Sequence, residues 1–148
     1  MEIQSDFTEL LKLFNVHNVR YIIVGSYALA FHGAPRYTGD IDILVKPDQE
    51  NAIKILKALG DFGFGSLGLK ENDFIFPDTV VQLGYPPVRI DIMTSISGID
   101  WDTIDHGSVD GLYGDLPVKY IGRKEFVINK KSTKRMKDLA DLEALGEK

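Results

Sequence analysis

The sequence predicts an α/β protein of the α+β kind: a mixed sheet with flanking helices, in a single domain over 1–148. Three observations carry that prediction. Helical-period and strand-period segments alternate along the chain, but without the regular strand–helix–strand rhythm of a wholly parallel sheet. Two strand-like runs, Asp40-Ile41-Asp42-Ile43-Leu44-Val45 and Val88-Arg89-Ile90-Asp91-Ile92-Met93, alternate charged and apolar residues, so each places its acids on one face. The 148 residues are 44% hydrophobic and 26% charged, enough for one core of ordinary soluble composition.

The elements follow in order. Asp6-Phe7-Thr8-Glu9 reads as a capping box, with Phe7, Leu10, Leu11 and Phe14 at helical spacing behind it and an end near His17-Asn18. Arg20 to Val24 is a buried-strand run, stopped by Gly25. Ser26 is placed as the cap of a short helix from Tyr27 to His32, with Gly33 as its stop. Asp40 to Lys46 is a strand closed by Pro47. Asp48 to Leu59 reads as a helix with Ala52, Ile55, Leu56 and Leu59 as its buried stripe, and Gly60 ends it. The glycine-rich stretch from Asp61 to Asp78 matches no element. Thr79 to Gly84 and Val88 to Met93 form an antiparallel pair of strands around Tyr85-Pro86-Pro87. Asp100 to Asp105 is a helical turn, and Leu112-Tyr113 with Val118 to Ile121 a small hairpin across Gly114-Asp115. Two helices close the chain, Arg123 to Asn129 and about Thr133 to Leu145; this C-terminal region, about 123–146, is expected to pack on the sheet.

Composition narrows the chemistry. The chain has no cysteine, which excludes a disulfide framework, a thiolate zinc site and a cysteine nucleophile, and fits a reducing cytoplasm. No run of 18 apolar residues offers a membrane span, and the acidic N-terminus lacks a signal-peptide pattern, so no membrane association is expected. The net charge of −5 conceals an asymmetry. Lys119 to Lys137 carries eight bases against Glu125 alone, +7, and the remainder is −12. A confined basic segment in an acidic chain suits an anion site better than a broad nucleic-acid surface, though a solvated basic helix pair would read the same.

The three aspartates carry most of the functional signal. Asp40 and Asp42 lie about 7 Å apart at Cα on one strand face, and Asp91 on a neighbouring strand would complete an oxygen site for magnesium. The alternative is a solvated polar sheet face. Against it, aspartate is a poor strand former and like charges on one face repel, whereas divalent cations convert that repulsion into coordination. Upstream, Gly25-Ser26 between a strand and a helix offers free backbone N–H groups to phosphate, or simply a capped turn. Arg36 and Thr38 precede the aspartates, and Arg36 either grips phosphate or neutralises them. Arg89 shares a face with Asp91 and reads as a structural ion pair. Lys134, Arg135 and Lys137 fall in the first turns of the last helix, where the dipole disfavours cations; a bound anion would explain them.

These motifs resemble the nucleotidyltransferase superfamily, the fold shared with DNA polymerase beta. The resemblance rests on Val24-Gly25-Ser26, then Asp40-Ile41-Asp42 after thirteen intervening residues, then Ile90-Asp91-Ile92. Arg36-x-Thr38-x-Asp40, Pro86-Pro87 and Arg135-x-Lys137-Asp138-Leu139-Ala140-Asp141-Leu142 are similar to small stand-alone members, including uncharacterised families and relatives from abortive-infection and toxin–antitoxin pairs. The resemblance implies transfer of a nucleoside monophosphate from a triphosphate, ATP being the expected one, to an acceptor, with pyrophosphate leaving. It implies two magnesium ions at Asp40, Asp42 and Asp91, with Asp91 also accepting the acceptor's proton. Gly25 and Ser26 would cradle the β- and γ-phosphates, and Arg36, Thr38, Lys130, Arg135 and Lys137 would bind triphosphate or acceptor. The acceptor classes it leaves open are a protein, tRNA or a small molecule. A helical partner chain or a second copy could complete the site. The competing functions are an antitoxin-type regulatory module that binds nucleotide or modifies its partner, and a tRNA-directed nucleotidyltransferase toxin.

Overall fold

The computed structural model describes residues 3–34, 39–85 and 88–147. The elements run α1 (Ser5–Val16), β1 (Tyr21–Val24), α2 (Gly25–Phe31), β2 (Asp40–Val45), α3 (Gln49–Leu59), β3 (Val80–Tyr85), β4 (Val88–Met93), α4 (Trp101–His106), β5 (Val109–Tyr113), β6 (Leu116–Tyr120), α5 (Arg123–Thr133) and α6 (Met136–Ala144). The six strands make one mixed sheet in the order β3-β4-β2-β1-β6-β5. The β2/β4 and β1/β6 pairs are parallel, and β1/β2, β3/β4 and β5/β6 are antiparallel. The expected α+β architecture is therefore present. Among the described residues no helix is long and apolar enough to cross a membrane.

Strand alternation divides the residues that matter here. Ile41, Ile43, Ile90, Ile92 and Leu83 are buried in one cluster with Phe7, Leu10, Leu11 and Phe14 of α1 and Ala52, Ile55, Ala58 and Leu59 of α3. The opposite face of β2 and β4 receives Asp40, Asp42, Arg89 and Asp91. Burying each apolar side chain contributes about 1.5–3 kcal/mol, so the aliphatic side of these strands fixes their register and thereby the placement of the acids.

Several local expectations shift. The capping box on Asp6 does not form: α1 begins at Ser5 with Gln4 as N-cap and no side-chain cap bond. Helix α2 begins at Gly25 directly after β1, with Val24 as N-cap, so Ser26 is buried inside the first turn and is not the cap. Asp48 lies just outside α3 as its N-cap, accepting a 2.8 Å bond from the Asn51 N–H. The buried stripe of α3 includes Asn51 and Ala58, and Leu56 is only partly buried. Asn51, 2% exposed, accepts from the Arg20 N–H at 2.8 Å and donates to the carbonyls of Arg20 and Lys46 at 3.0 Å, tying the outer ends of β1 and β2 together.

Gly60 caps α3 as expected, but in right-handed helical geometry, and the chain goes on through a π turn (Gly60–Phe64) and two 3-10 turns (Gly65–Leu67 and Glu71–Phe74), with Phe74 fully buried. Gly63-Phe64-Gly65-Ser66-Leu67-Gly68 has the spacing of a dinucleotide-binding glycine loop, but it follows a helix instead of a strand and opens no phosphate-facing helix.

Candidate active site

Strands β2 and β4 run parallel with Asp40 opposite Arg89 and Asp42 opposite Asp91. Paired residues of a parallel ladder share a face, so three carboxylates and one guanidinium form a compact square on the sheet. Arg89 is the bridge within it. Its Nε donates to Asp91 Oδ1 at 2.9 Å, and its Nη2 donates to Asp91 Oδ2 at 3.2 Å and to Asp40 Oδ2 at 3.0 Å. The ion pair expected between Arg89 and Asp91 is present and extends to Asp40.

Asp42 sits at the seam with β1, where it pairs with Val24. Burial pushes its carboxyl up to about 6, and the neighbouring charges of Asp91 and Asp40 add to the effect. Lys130 and Lys137 pull in the other direction. Gly25 makes this position possible. Its φ is +67°, and a Cβ there would stand 2.2 Å from Asp42 Oδ2. Only glycine accommodates both the backbone angle and the carboxylate packed against it.

Asp42 and Gly25 open onto a cavity of about 480 Å³, which Val24, Met93, Ile96, Ser97 and the α5–α6 junction (Asn129, Lys130, Ser132, Thr133, Arg135) also line. This volume suits a nucleotide-sized ligand. One wall is acidic and the other basic. Asn129 Nδ2 donates to the Ser97 carbonyl at 2.9 Å, fastening the loop after β4 to α5.

The basic wall differs from expectation. Helix α5 runs on to Thr133, Lys134 closes it in the left-handed region at φ 57°, and α6 starts only at Met136 with Arg135 as N-cap. Lys134 therefore forms no i, i+4 pair within α6. Asp138 is fully buried and accepts from Lys130 Nζ at 2.9 Å, Arg135 Nε at 2.7 Å and the Thr133 hydroxyl. Lys130, 8% exposed, also lies 3.7 Å from Asp141. Burial alone would raise the Asp138 carboxyl; hydrogen bonds from Thr133, Lys130 and Arg135 outweigh it and hold the group at about 2. Much of the basic charge is thus answered within the chain, while Lys137 stays exposed.

Of the ten residues expected at the site, the structure gathers Asp40, Asp42 and Asp91 on one sheet face, and Gly25, Lys130 and Arg135 line the cavity with Asp42. Ser26 follows Gly25 in α2, and Lys137 acts on Asp42 through its charge. Arg36 and Thr38 lie outside the described residues. By spacing, Asp138 and Asp141 stand i, i+4 from Lys134 and Lys137, but in the structure Asp138 pairs with Lys130 and Arg135, and Asp141 lies near Lys130. A signal was available: Asp138, Asp141, Leu142 and Leu145 recur at helical spacing, which puts both acids on the inward stripe.

Among the described residues no three acidic or imidazole side chains are arranged as a ready metal cluster; Arg89 holds both oxygens of Asp91 and one of Asp40. The donor chemistry nonetheless suits a hard divalent cation. All the candidate ligands are carboxylates, and Asp42, raised first by burial and then by the charges of Asp91 and Asp40, is a group that a bound cation would hold ionised.

No family model matches the sequence, and no curated protein matches it. Comparison with solved structures does find relatives of the fold. A Thermotoga maritima protein thought to be a nucleotidyltransferase superposes with a TM-score of 0.60 at 14% identity, covering 95% of this chain and 88% of that one. The lincosamide antibiotic adenylyltransferase LnuA, bound to lincomycin, matches with a TM-score of 0.58 at 14% identity over 99% of this chain and 98% of its own. The antibiotic-resistance factor ANT(2'')-Ia matches with a TM-score of 0.62 at 11% identity over 95% and 80%. Near-complete coverage of this chain at TM-scores of 0.58 to 0.62 supports one conclusion: the chain has the nucleotidyltransferase fold.

Proposed function

We propose that this protein is a magnesium-dependent nucleotidyltransferase that moves a nucleoside monophosphate, AMP from ATP in the first instance, onto an acceptor and releases pyrophosphate. The observation that carries the proposal is the register of β2 and β4, which brings Asp91 beside Asp42, itself lining a cavity with Gly25. Asp40, Asp42 and Asp91 would hold the metal ions, which supply Lewis-acid stabilisation of the phosphoryl oxygens when bound. Gly25 lets the β- and γ-phosphates approach the backbone at the start of α2, with Ser26 beside them. Lys130, Arg135 and Lys137 supply positive charge to the triphosphate from the opposite wall, and Arg36 and Thr38 would add contacts to triphosphate or acceptor. An acceptor hydroxyl attacks the α-phosphorus in line; the bond to the bridging oxygen of pyrophosphate breaks, and Asp91 receives the proton.

The test is incubation with each nucleoside triphosphate labelled at the α-phosphorus, magnesium, and a panel of total lysate, tRNA and lincosamides; the antibiotic-directed proteins of similar fold motivate the last. Transfer of label to one acceptor class, reduced at least about a hundredfold by Asp42→Asn, is the expected outcome. Unchanged transfer in Asp91→Asn would remove that residue from the proton-accepting role. A toxin–antitoxin setting predicts instead that the labelled species is a co-purifying protein partner.

A further inference from the structure

Arg89 stands where the three carboxylates converge. It engages Asp91 through two donors and Asp40 through one, a bidentate geometry that is the strongest ion pairing open to a side chain. Arginine does not deprotonate in proteins, so this positive charge leaves the acids only by moving. There is room for it to move. On the β3 side Arg89 is paired with Gly84, which is exposed and has no side chain, and Gln82 beside Asp91 is exposed too.

We propose that Arg89 is a resident counter-cation that competes with the divalent metal for Asp91 and Asp40, so that the site resists free metal ions and loads with a metal–nucleotide complex. The inference rests on the magnesium-site reading above. A bare ion must displace the guanidinium and gains only carboxylate ligands in return. A metal–nucleotide complex displaces the same guanidinium but adds contacts at Gly25 and along the basic wall. The displaced fork then lies at the β3 edge, beside the carboxylates, with its donors free for an anionic group of the incoming substrates. Arg89 is on this account a positioning residue that sets metal affinity.

A merely structural role predicts the opposite sign. If Arg89 only holds Asp40 and Asp91 in place, its removal disorders the ligands and weakens metal binding. Manganese binding, read from the loss of the free-ion electron paramagnetic resonance signal, separates the two. The wild type, Arg89→Gln and Arg89→Lys are compared with manganese alone and with manganese plus a non-hydrolysable ATP analogue, after circular dichroism confirms folding. Arg89→Gln is expected to bind manganese alone about tenfold or more tightly than the wild type, because one unit charge a few ångströms from the ion has been removed. Arg89→Lys, which keeps the charge without the fork, falls between them and decides the matter alone if the glutamine variant does not fold. Affinity for the manganese–nucleotide complex changes less than affinity for the bare ion. Equal or weaker binding of bare manganese in both variants overturns the proposal while leaving the metal site intact. No manganese uptake by any variant, even with nucleotide, overturns the proposal and the magnesium-site reading together.

Discussion

Asp42→Asn should stabilise the metal-free fold while abolishing transfer, and the size of the gain follows from the site. The Asp42 carboxyl has an ordinary value of 3.8 and stands at about 6 in the folded chain, raised first by burial and then by Asp91 and Asp40. The folded state therefore holds an extra proton between about pH 4 and 6. Stability contributed by this group is greatest below pH 4, falls as pH rises through that window, and stays low above 6. Two pKa units at 1.36 kcal/mol each set a ceiling of about 3 kcal/mol on the cost of the ionised carboxylate at pH 8. Asparagine has the shape of the protonated acid without its titration, so it removes that cost. Urea unfolding in EDTA should show the variant more stable by about 1–3 kcal/mol at pH 8, with the gap closing towards pH 4. Magnesium should reverse the ranking, since ligand binding stabilises only the chain that retains the site. A variant less stable than wild type at pH 8, or a gap independent of pH, would refute the electrostatic reasoning.

Other outcomes follow from single contacts. Asp138→Asn removes the buried partner of Lys130 and Arg135 and should cost about 3–5 kcal/mol in chemical denaturation, because it leaves charge uncompensated. Asp138 is held below its ordinary value, so its stabilisation is complete above about pH 4 and disappears towards pH 2; the wild type should lose more stability than the variant over that interval. Gly25→Ala combines a strained positive φ, about 1–2 kcal/mol, with a Cβ driven into the Asp42 carboxylate, so melting temperature and transfer activity should fall together. Asn51→Leu leaves the Arg20 N–H and the carbonyls of Arg20 and Lys46 without their side-chain partner and should cost about 2–4 kcal/mol at constant size, with transfer activity at low temperature largely retained.

The legible part of the site is the part written in short-range alternation. Asp40 and Asp42 share a face because strand side chains repeat every two residues, and the aliphatics between them leave the register little freedom. Gly25 was legible as a backbone position because it ends a buried strand. What escaped was whatever depends on distant pairing. Asp91 is expected on a neighbouring strand, but its register opposite Asp42 and the fork of Arg89 to Asp40 are decided by the parallel β2/β4 crossover, across 49 residues of sequence in the Arg89–Asp40 pair. The C-terminal bases misled for the same reason: a charge run shows its sign but not the buried Asp138 that answers it. The stretch 61–78 resisted because its turns are π and 3-10, periods that no hydrophobic pattern marks, and because Phe74 is its only fully buried side chain among the described residues.

The two walls of the cavity can be compared by what each lacks. On the acidic side Asp42 lines the cavity, and beside it on the sheet Arg89 pairs with Asp91 and Asp40. The basic wall has Lys130 and Arg135 answered by Asp138, with Lys137 exposed above them. A cation alone would relieve the first wall and meet repulsion from the second. An anion alone would do the reverse. Only a ligand carrying both, a polyphosphate with its divalent ions, answers both walls at once, and it must be long enough to cross a cavity of about 480 Å³. The charge pattern therefore selects the complex over either component, and the occupation of Asp91 and Asp40 by Arg89 acts in the same direction, since it places a cost on the bare ion that only the additional phosphate contacts offset.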